Sequence, residues 1–175
     1  MPKRFIAPLV NGRVRLRLLD EADLPMTLAW RNQNHIREWF LCSDVITPEQ
    51  HRAWFDQYKD RDDDFVFIVE ETQTLRRPVG QASIYHVDRD AGRAEFGRLM
   101  IGDTAAHGLG LGRLATARLV AEAHDVWNLR EVYLECRAGN TGAIRIYREC
   151  NFDELSRDDR VVRMAHWKTA PAARD

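Results

Sequence analysis

Long apolar runs are missing from these 175 residues. None approaches the roughly 20 consecutive apolar positions that a membrane-spanning helix needs, so no membrane partner is expected. The opening stretch MPKRFIAPLV has charge but neither a long apolar core nor a small-residue cleavage site, which argues against a signal peptide. Cysteine is scarce: Cys42, Cys136 and Cys150 are odd in number and widely spaced, fitting neither a disulfide framework nor a zinc site. The six histidines are scattered, with no HExxH, and there is no CxxC. A reduced, cytoplasmic, metal-free protein is expected, its thiols buried and inert; a catalytic cysteine with a distant histidine is the alternative. Charge of one sign is not in excess either. The 26 Lys+Arg against 27 Asp+Glu leave a net charge of −1, which gives nucleic acid little to bind to. Repeats and low-complexity segments are also absent.

What is present suits one domain over residues 1–175, with a core from about 12 to 168 and a flexible tail, TAPAARD, at 169–175. Val14–Leu18 alternates apolar residues with arginine, the period of a half-buried strand. A helical stretch follows Asp20 to about Trp30. Thr47-Pro48-Glu49-Gln50 is a capping box with proline at the first helical position, opening a helix that carries His51, Trp54, Phe55 and Tyr58. Strands are expected over Phe65–Glu70, Val79–His86 and Ala94–Ile101. An apolar-rich helix then runs to about Trp127, followed by a strand at Val132–Cys136 and a helix from Thr141 to Cys150. Asn151 is a left-handed terminator, and Val161–Trp167 is a final strand. The order β-α-α-β-β-β-α-β-α-β-β predicts a mixed α/β fold, a sheet of about seven strands with helices on both faces.

Gly108, Gly110 and Gly112 alternate between a strand and a helix. Missing side chains let backbone N–H groups approach an anion, the helix N-terminus adds partial positive charge, and Arg113 adds a cation. A phosphate or pyrophosphate ligand follows; a glycine turn that only lets helix and strand pack closely is the alternative. GxGxG after several strands is not the dinucleotide GxGxxG, and Gly112-Arg113-Leu114 is not the GK[ST] of a P-loop. Downstream, Ala143, Ile144 and Tyr147 share one helical face.

Together these motifs resemble the GNAT superfamily of acyl-CoA N-acyltransferases. His107-Gly108-Leu109-Gly110-Leu111-Gly112 matches its Q/R-x-x-G-x-G/A loop, and Asn140 through Phe152 matches N-x-x-A-x-x-x-Y-x-x-x-G-F. Ala94–Ile101 is similar to its fourth strand. His107 departs from Gln/Arg, and Asn151 from Gly. The resemblance implies a twisted sheet splayed between the fourth and fifth strands and acetyl-CoA as cosubstrate. It places the pantetheine arm along Leu99, Met100 and Ile101, with the loop 107–113 (Leu109 and Leu111 included), Asn140 and Ala143 also contacting the cofactor. Tyr147 would protonate the leaving thiolate.

An amine attacks a thioester only when neutral, so a base is needed, and charge developing on the carbonyl oxygen needs a backbone N–H. Glu135 and Glu95 are the candidates. Glu135, acting through water, is favoured by a second resemblance. Arg31-Asn32, Trp39 and Gln50-His51 are similar to sugar-nucleotide N-acetyltransferases of pseudaminic-acid biosynthesis, which acetylate the 4-amine of a UDP-linked sugar. The residues themselves suggest Arg31 and His51 gripping a phosphate while Phe40 and Trp54 flank a flat ring, with core indoles and surface arginines as the alternative. The resemblance implies Arg31, Phe40, Leu41, His51 and Trp54 as nucleotide contacts and Ser83 on the sugar or phosphate. Other readings keep the cofactor but take a protein N-terminus or a small amine or antibiotic as acceptor, or make the chain a noncatalytic acyl-CoA-binding module. A homodimer is compatible with either resemblance.

Overall fold

The computed structural model describes residues 3–169. The predicted tail lies, beyond Thr169, outside the described residues. The strands are β1 (Leu9–Asn11), β2 (Val14–Leu18), β3 (Asp64–Glu71), β4 (Arg77–Asp88), β5 (Arg93–Ile101), β6 (Glu131–Arg137), β7 (Asp153–Arg157) and β8 (Val161–Trp167). The helices are α1 (Leu24–Arg31), α2 (Asn34–Arg37), α3 (Pro48–Tyr58), α4 (Leu111–Ala121) and α5 (Thr141–Glu149). The eight strands form one sheet in the order β1-β2-β3-β4-β5-β6-β8-β7.

About seven strands were expected. The extra one, β1, pairs with β2 over three residues, too short to leave a periodic pattern. The one-turn α2 was also unassigned, for the same reason. β7 was counted in the expected order but given no bounds, its five residues all being exposed; the other elements fall where the patterns put them. Thr47 and Gln50 cap each other's backbone N–H groups at the start of α3. The helical segment after the glycine loop reaches Trp127 because α4 continues into a π-helical turn at Glu122–Val126. Asn151 is left-handed, with φ of 62°.

Helices cover both faces of the sheet. In β3, Phe65, Phe67 and Val69 pack in the core that holds α4 and α5, while Val66 and Ile68 pack with Leu19, Leu24, Phe55 and Tyr58 on the α1/α3 side. All five β3 side chains are fully buried. At roughly 1.5–3 kcal/mol for each buried large apolar side chain, β3 stabilises both layers at once.

One pair of strands departs from the antiparallel rule. β5 and β6 run parallel, joined only through Arg93↔Glu131, Ala94↔Val132 and Glu95↔Tyr133. Past Glu95 they part, and β6 stays paired to β8 as far as Arg137. This is the predicted splay, and it opens a passage through the sheet. Among the described residues no helix is long and apolar enough to cross a membrane.

Candidate active site

The passage is a cleft of about 770 Å³, a size that suits a ligand of several hundred daltons. On one face it is walled by the α4 N-terminus and α5, on the other by α1, α2 and the segment after them.

One side of the cleft is built from backbone. Gly108 and Gly110 have φ of +75° and +73°, which side-chain-bearing residues rarely adopt, and a Cβ at either would point into open space. Gly110 is the N-cap of α4 and supplies no side-chain acceptor. Among the described residues, no protein acceptor pairs with the N–H groups of 108–113; the first bond of the helix is Leu114 N–H to Gly110 C=O. An uncapped helix N-terminus beside two bare glycine amides is a cradle of donors for an anion. Gly112 serves a different purpose: its Cβ would sit 3.4 Å from Ile146 and 3.7 Å from Leu99, so glycine lets α4 approach α5 and β5.

Leu111 and Arg113 lie on the cleft wall, Arg113 leaning towards Glu149 at 3.9 Å. Leu109 is not on the wall; its side chain packs against the core, leaving its amide as its contribution. His107 does not extend towards the cradle as Gln or Arg would. Its Nε2 bonds the Ile101 carbonyl at 2.9 Å and pins the loop to the end of β5. Leu99, Met100, Ile101 and Ala143 line the cleft. Asn140 lines it too; its Oδ1 accepts the Ala143 N–H at 3.1 Å, and its Nδ2 is left free to donate.

Tyr147 also faces the cleft. Its ring meets Phe96 edge-on at 5.9 Å and packs on Phe152, and its hydroxyl has no hydrogen-bond partner among the described residues. Burial pushes the phenol's pKa well above its usual value, so it stays protonated and able to donate.

The β4–β5 pair holds two bulges. At the first, Gln81↔Met100 and Ser83↔Gly97 leave one extra residue on β5, where Arg98 has φ of 51°. The register shifts beside the splay, where the β5 backbone has no β6 partner. Arg98 reaches back to the buried Asp64 through two bonds of 2.7 and 3.1 Å and lies 4.2 Å from the Tyr85 ring centre. At the second bulge the extra residue is on β4, and Tyr85 and His86 both meet Glu95. Neither bulge was visible in the sequence reading.

Both predicted bases line the cleft. Glu135 is paired with Arg163 Nε at 2.6 Å. Glu95 has no arginine or lysine partner among the described residues; it accepts the Tyr85 O–H at 2.7 Å and meets His86 Nδ1 at 3.0 Å.

The other side is built from side chains. A second cavity of about 450 Å³ adjoins the cleft, sharing Arg31, Phe40, Cys42, Arg98 and Met100 with it. His51 and Trp54 line this cavity, and Leu41 lines the main cleft. Residues 38–46 roof the passage without regular structure, held by bonds to their carbonyls from Arg31, Asn32, Arg37 and, across the gap, Arg137 on β6. Arg31 is only 9% exposed, and its Nη1 is buried without a partner.

Two expectations need correction here. Ser83 is fully buried, has an unpartnered hydroxyl and lines neither cavity, because its β4 position opposite Gly97 is covered; it is not placed to meet a sugar or phosphate in either of them. Phe40 and Trp54 do not form an open clamp for a flat ring. Trp54 is stacked between His51 at 5.3 Å and Tyr58 at 5.1 Å, and Arg31 covers one face of Phe40 at 4.2 Å. His51 bonds the Thr27 hydroxyl at 3.1 Å, and burial lowers its pKa, so near neutral pH it meets the cavity as a neutral ring. No group of three or more potential metal ligands occurs among the described residues.

The family model described as acetyltransferase (GNAT) domain matches residues 13–153. This chain belongs to the GNAT acetyltransferase family. No curated protein matches it significantly. Among solved structures, a spermidine N-acetyltransferase from Vibrio cholerae in complex with CoA and spermine superposes with a TM-score of 0.81 at 21% identity, over 90% of this chain and 97% of that one. A domain from Methanocaldococcus jannaschii superposes at 0.76 and 18% identity, over 90% and 99%. A dodecameric form of the Vibrio cholerae enzyme gives 0.73 and 21%, over 90% and 95%. At these identities the likeness establishes a shared fold. As a GNAT acetyltransferase, the chain draws its acetyl group from acetyl-CoA, and the unpaired amides of 108–113 suit that molecule's pyrophosphate.

Proposed function

We propose that this GNAT enzyme acetylates the primary amine of an acceptor that also carries an anionic group, with an amino-sugar nucleotide as the favoured class. The carrying observation is Arg31: a cation with no carboxylate partner among the described residues, buried, one Nη without an acceptor, at the wall between the cofactor cleft and the second cavity. A buried, unpaired guanidinium is costly, and a carboxylate or phosphate on the ligand satisfies it. Arg98 is already neutralised by Asp64, and Asp44 is the one carboxylate on the second cavity's wall. A polyamine with several ammonium groups finds little complement there.

Acetyl-CoA supplies an activated thioester when bound. Around it, the amides of 108–113 bind pyrophosphate and the unpaired β5 backbone past the splay offers donors to the acyl oxygen. We assign the base to Glu95 rather than Glu135, since the Glu135 carboxylate is committed to Arg163. Glu95 removes the ammonium proton of the acceptor, and Tyr147 gives a proton to the departing sulfur. Entry of cofactor and acceptor from opposite faces of the sheet permits direct transfer in a ternary complex.

A protein N-terminus is the second reading. It is favoured by the exposed apolar residues Trp39, Leu41 and Val45 on the roof segment. The test is CoA release with a panel: UDP-linked 4-amino sugars, short peptides with free N-termini, and spermidine. Turnover of the anionic sugar, lost in Arg31→Ala, supports the first reading. Preference for spermidine, or activity indifferent to Arg31, overturns it.

A further inference from the structure

The second β4–β5 bulge places an imidazole where a regular strand would not. Tyr85 pairs with Glu95 and Asp88 with Arg93, so two residues of β4, His86 and Val87, stand opposite the single residue Ala94. Ile84 and Val87 both point into the core beneath α4, although they are three residues apart. Tyr85 and His86 are therefore both turned to the opposite face, where Glu95 projects between the core residues Ala94 and Phe96. The backbone at His86 is left-handed, with φ of 50°, a conformation that side-chain-bearing residues avoid and that persists where surrounding structure enforces it.

The two partners of Glu95 differ in access to water. The Tyr85 phenol lies under Arg98, and burial, together with its hydrogen bond to the Glu95 carboxylate, keeps it protonated. Glu95 itself is 17% exposed and His86 is 57% exposed. A base that takes a proton in each turnover must return it to solvent, and of the two groups bonded to Glu95 only His86 can carry it there.

We propose that His86 is the proton outlet of Glu95, a positioning and relay residue acting through that carboxylate; this rests on the assignment of Glu95 as base. With Glu95 ionised, His86 Nδ1–H donates to Oε2. Once Glu95 holds the acceptor's proton, exchange of the exposed ring with water brings Nδ1 to its bare form, and Oε2–H donates to it. Transfer gives an imidazolium, which releases its Nε2 proton to water. Nδ1–H then faces an ionised carboxylate again, and the net change is one proton moved from the acceptor to solvent.

The test compares His86→Gly, His86→Asn and Glu95→Gln, since glycine and asparagine both tolerate the left-handed backbone. Rates are read on the best amine of the panel and, in acceptor-free buffer, on the slow hydrolysis of acetyl-CoA, where water yields its proton to the same carboxylate. His86→Gly is expected to lose kcat by about tenfold, less than the 10²–10⁴ that a general base itself contributes, with KM for acetyl-CoA unchanged. Added imidazole is expected to restore the rate in His86→Gly. His86→Asn, which keeps a hydrogen-bonding amide but carries no proton, is expected to stay slow. Full activity in His86→Asn, or a loss in His86→Gly that imidazole does not answer, overturns the outlet. Glu95→Gln at parental activity overturns the base assignment and the outlet with it. Glu95→Gln inactive beside a fully active His86→Asn removes the outlet alone.

Discussion

Residues 108–113 present the cleft with main-chain amides on glycines, while residues 31–54 present it with a guanidinium, an imidazole and an indole. The first half, which we propose holds the cofactor, depends on backbone conformation that two left-handed glycines make possible. The second, which we propose holds the acceptor, depends on which side chains an irregular roof segment holds in place. A backbone cradle recognises phosphate whatever the neighbouring side chains, so it tolerates His107 in place of Gln or Arg. A cavity walled by side chains changes its ligand with one substitution. The family is therefore legible in the first half and the acceptor only in the second.

The comparison breaks hardest at Gly110. Gly110→Glu forces a side chain onto a φ of +73° and puts negative charge at the cradle. Acetyl-CoA affinity measured by calorimetry is expected to fall on the order of a hundredfold or more, from the backbone strain and the charge repulsion together. Retained tight binding would mean that the loop holds something else. Next is Tyr147→Phe, which keeps the packing on Phe96 and Phe152 but removes the proton. Turnover is expected to fall on the order of a hundredfold, with the dissociation constant of acetyl-CoA within about twofold of the parent. An unchanged kcat would remove the acid role.

Arg31→Ala probes the other half. Loss of a charge-assisted hydrogen bond, worth about 1.5–3 kcal/mol, is expected to raise the KM of an anionic acceptor on the order of tenfold to a hundredfold. Acetyl-CoA affinity should stay level, because Arg31 lies across the sheet from the cradle. An equal weakening of both ligands would erase the distinction between the halves.

The smallest effect on catalysis is expected outside both, at the end of β3. Glu71 is fully buried there, and burial alone would raise its pKa. The N–H groups of Leu75, Gln73 and Thr74 and the Arg13 guanidinium outweigh that and hold it down at about 2. A carboxyl whose pKa is depressed in the folded state stabilises the fold above its unfolded value of about 4.5 and loses that contribution as pH falls towards 2. Glu71→Gln should thus melt lower than the parent at pH 7, with the gap closing in acid, while kinetic constants at pH 7 stay near parental. A gap independent of pH would contradict the role of the charge.

Sequence patterns revealed what rests on local chemistry. The Thr47–Gln50 capping box, the left-handed Asn151 and the glycine loop each state their backbone conformation in one to six residues, and the structure places all three as read. The parting of β5 and β6 came from resemblance, since no hydrophobic period marks where a parallel pair separates. The bulges escaped because an inserted residue breaks the strand period only once. The three-residue step from Ile84 to Val87 was the available signal, in a strand whose polar and apolar residues are mixed. The partners of the acidic residues were out of reach for a different reason. Glu135–Arg163 and Arg98–Asp64 join positions 28 and 34 residues apart, and pairing at that range depends on strand order. Ser83 was misplaced because a small polar residue in a strand does not tell whether its face is covered.

A structure of the enzyme with acetyl-CoA tests the central claim most directly. The account predicts the pyrophosphate within hydrogen-bond distance of the amides of 108–113, and the thioester between strands β5 and β6 with the Tyr147 hydroxyl beside its sulfur. A pyrophosphate seated anywhere else, or a Tyr147 hydroxyl turned away from the sulfur, would contradict it.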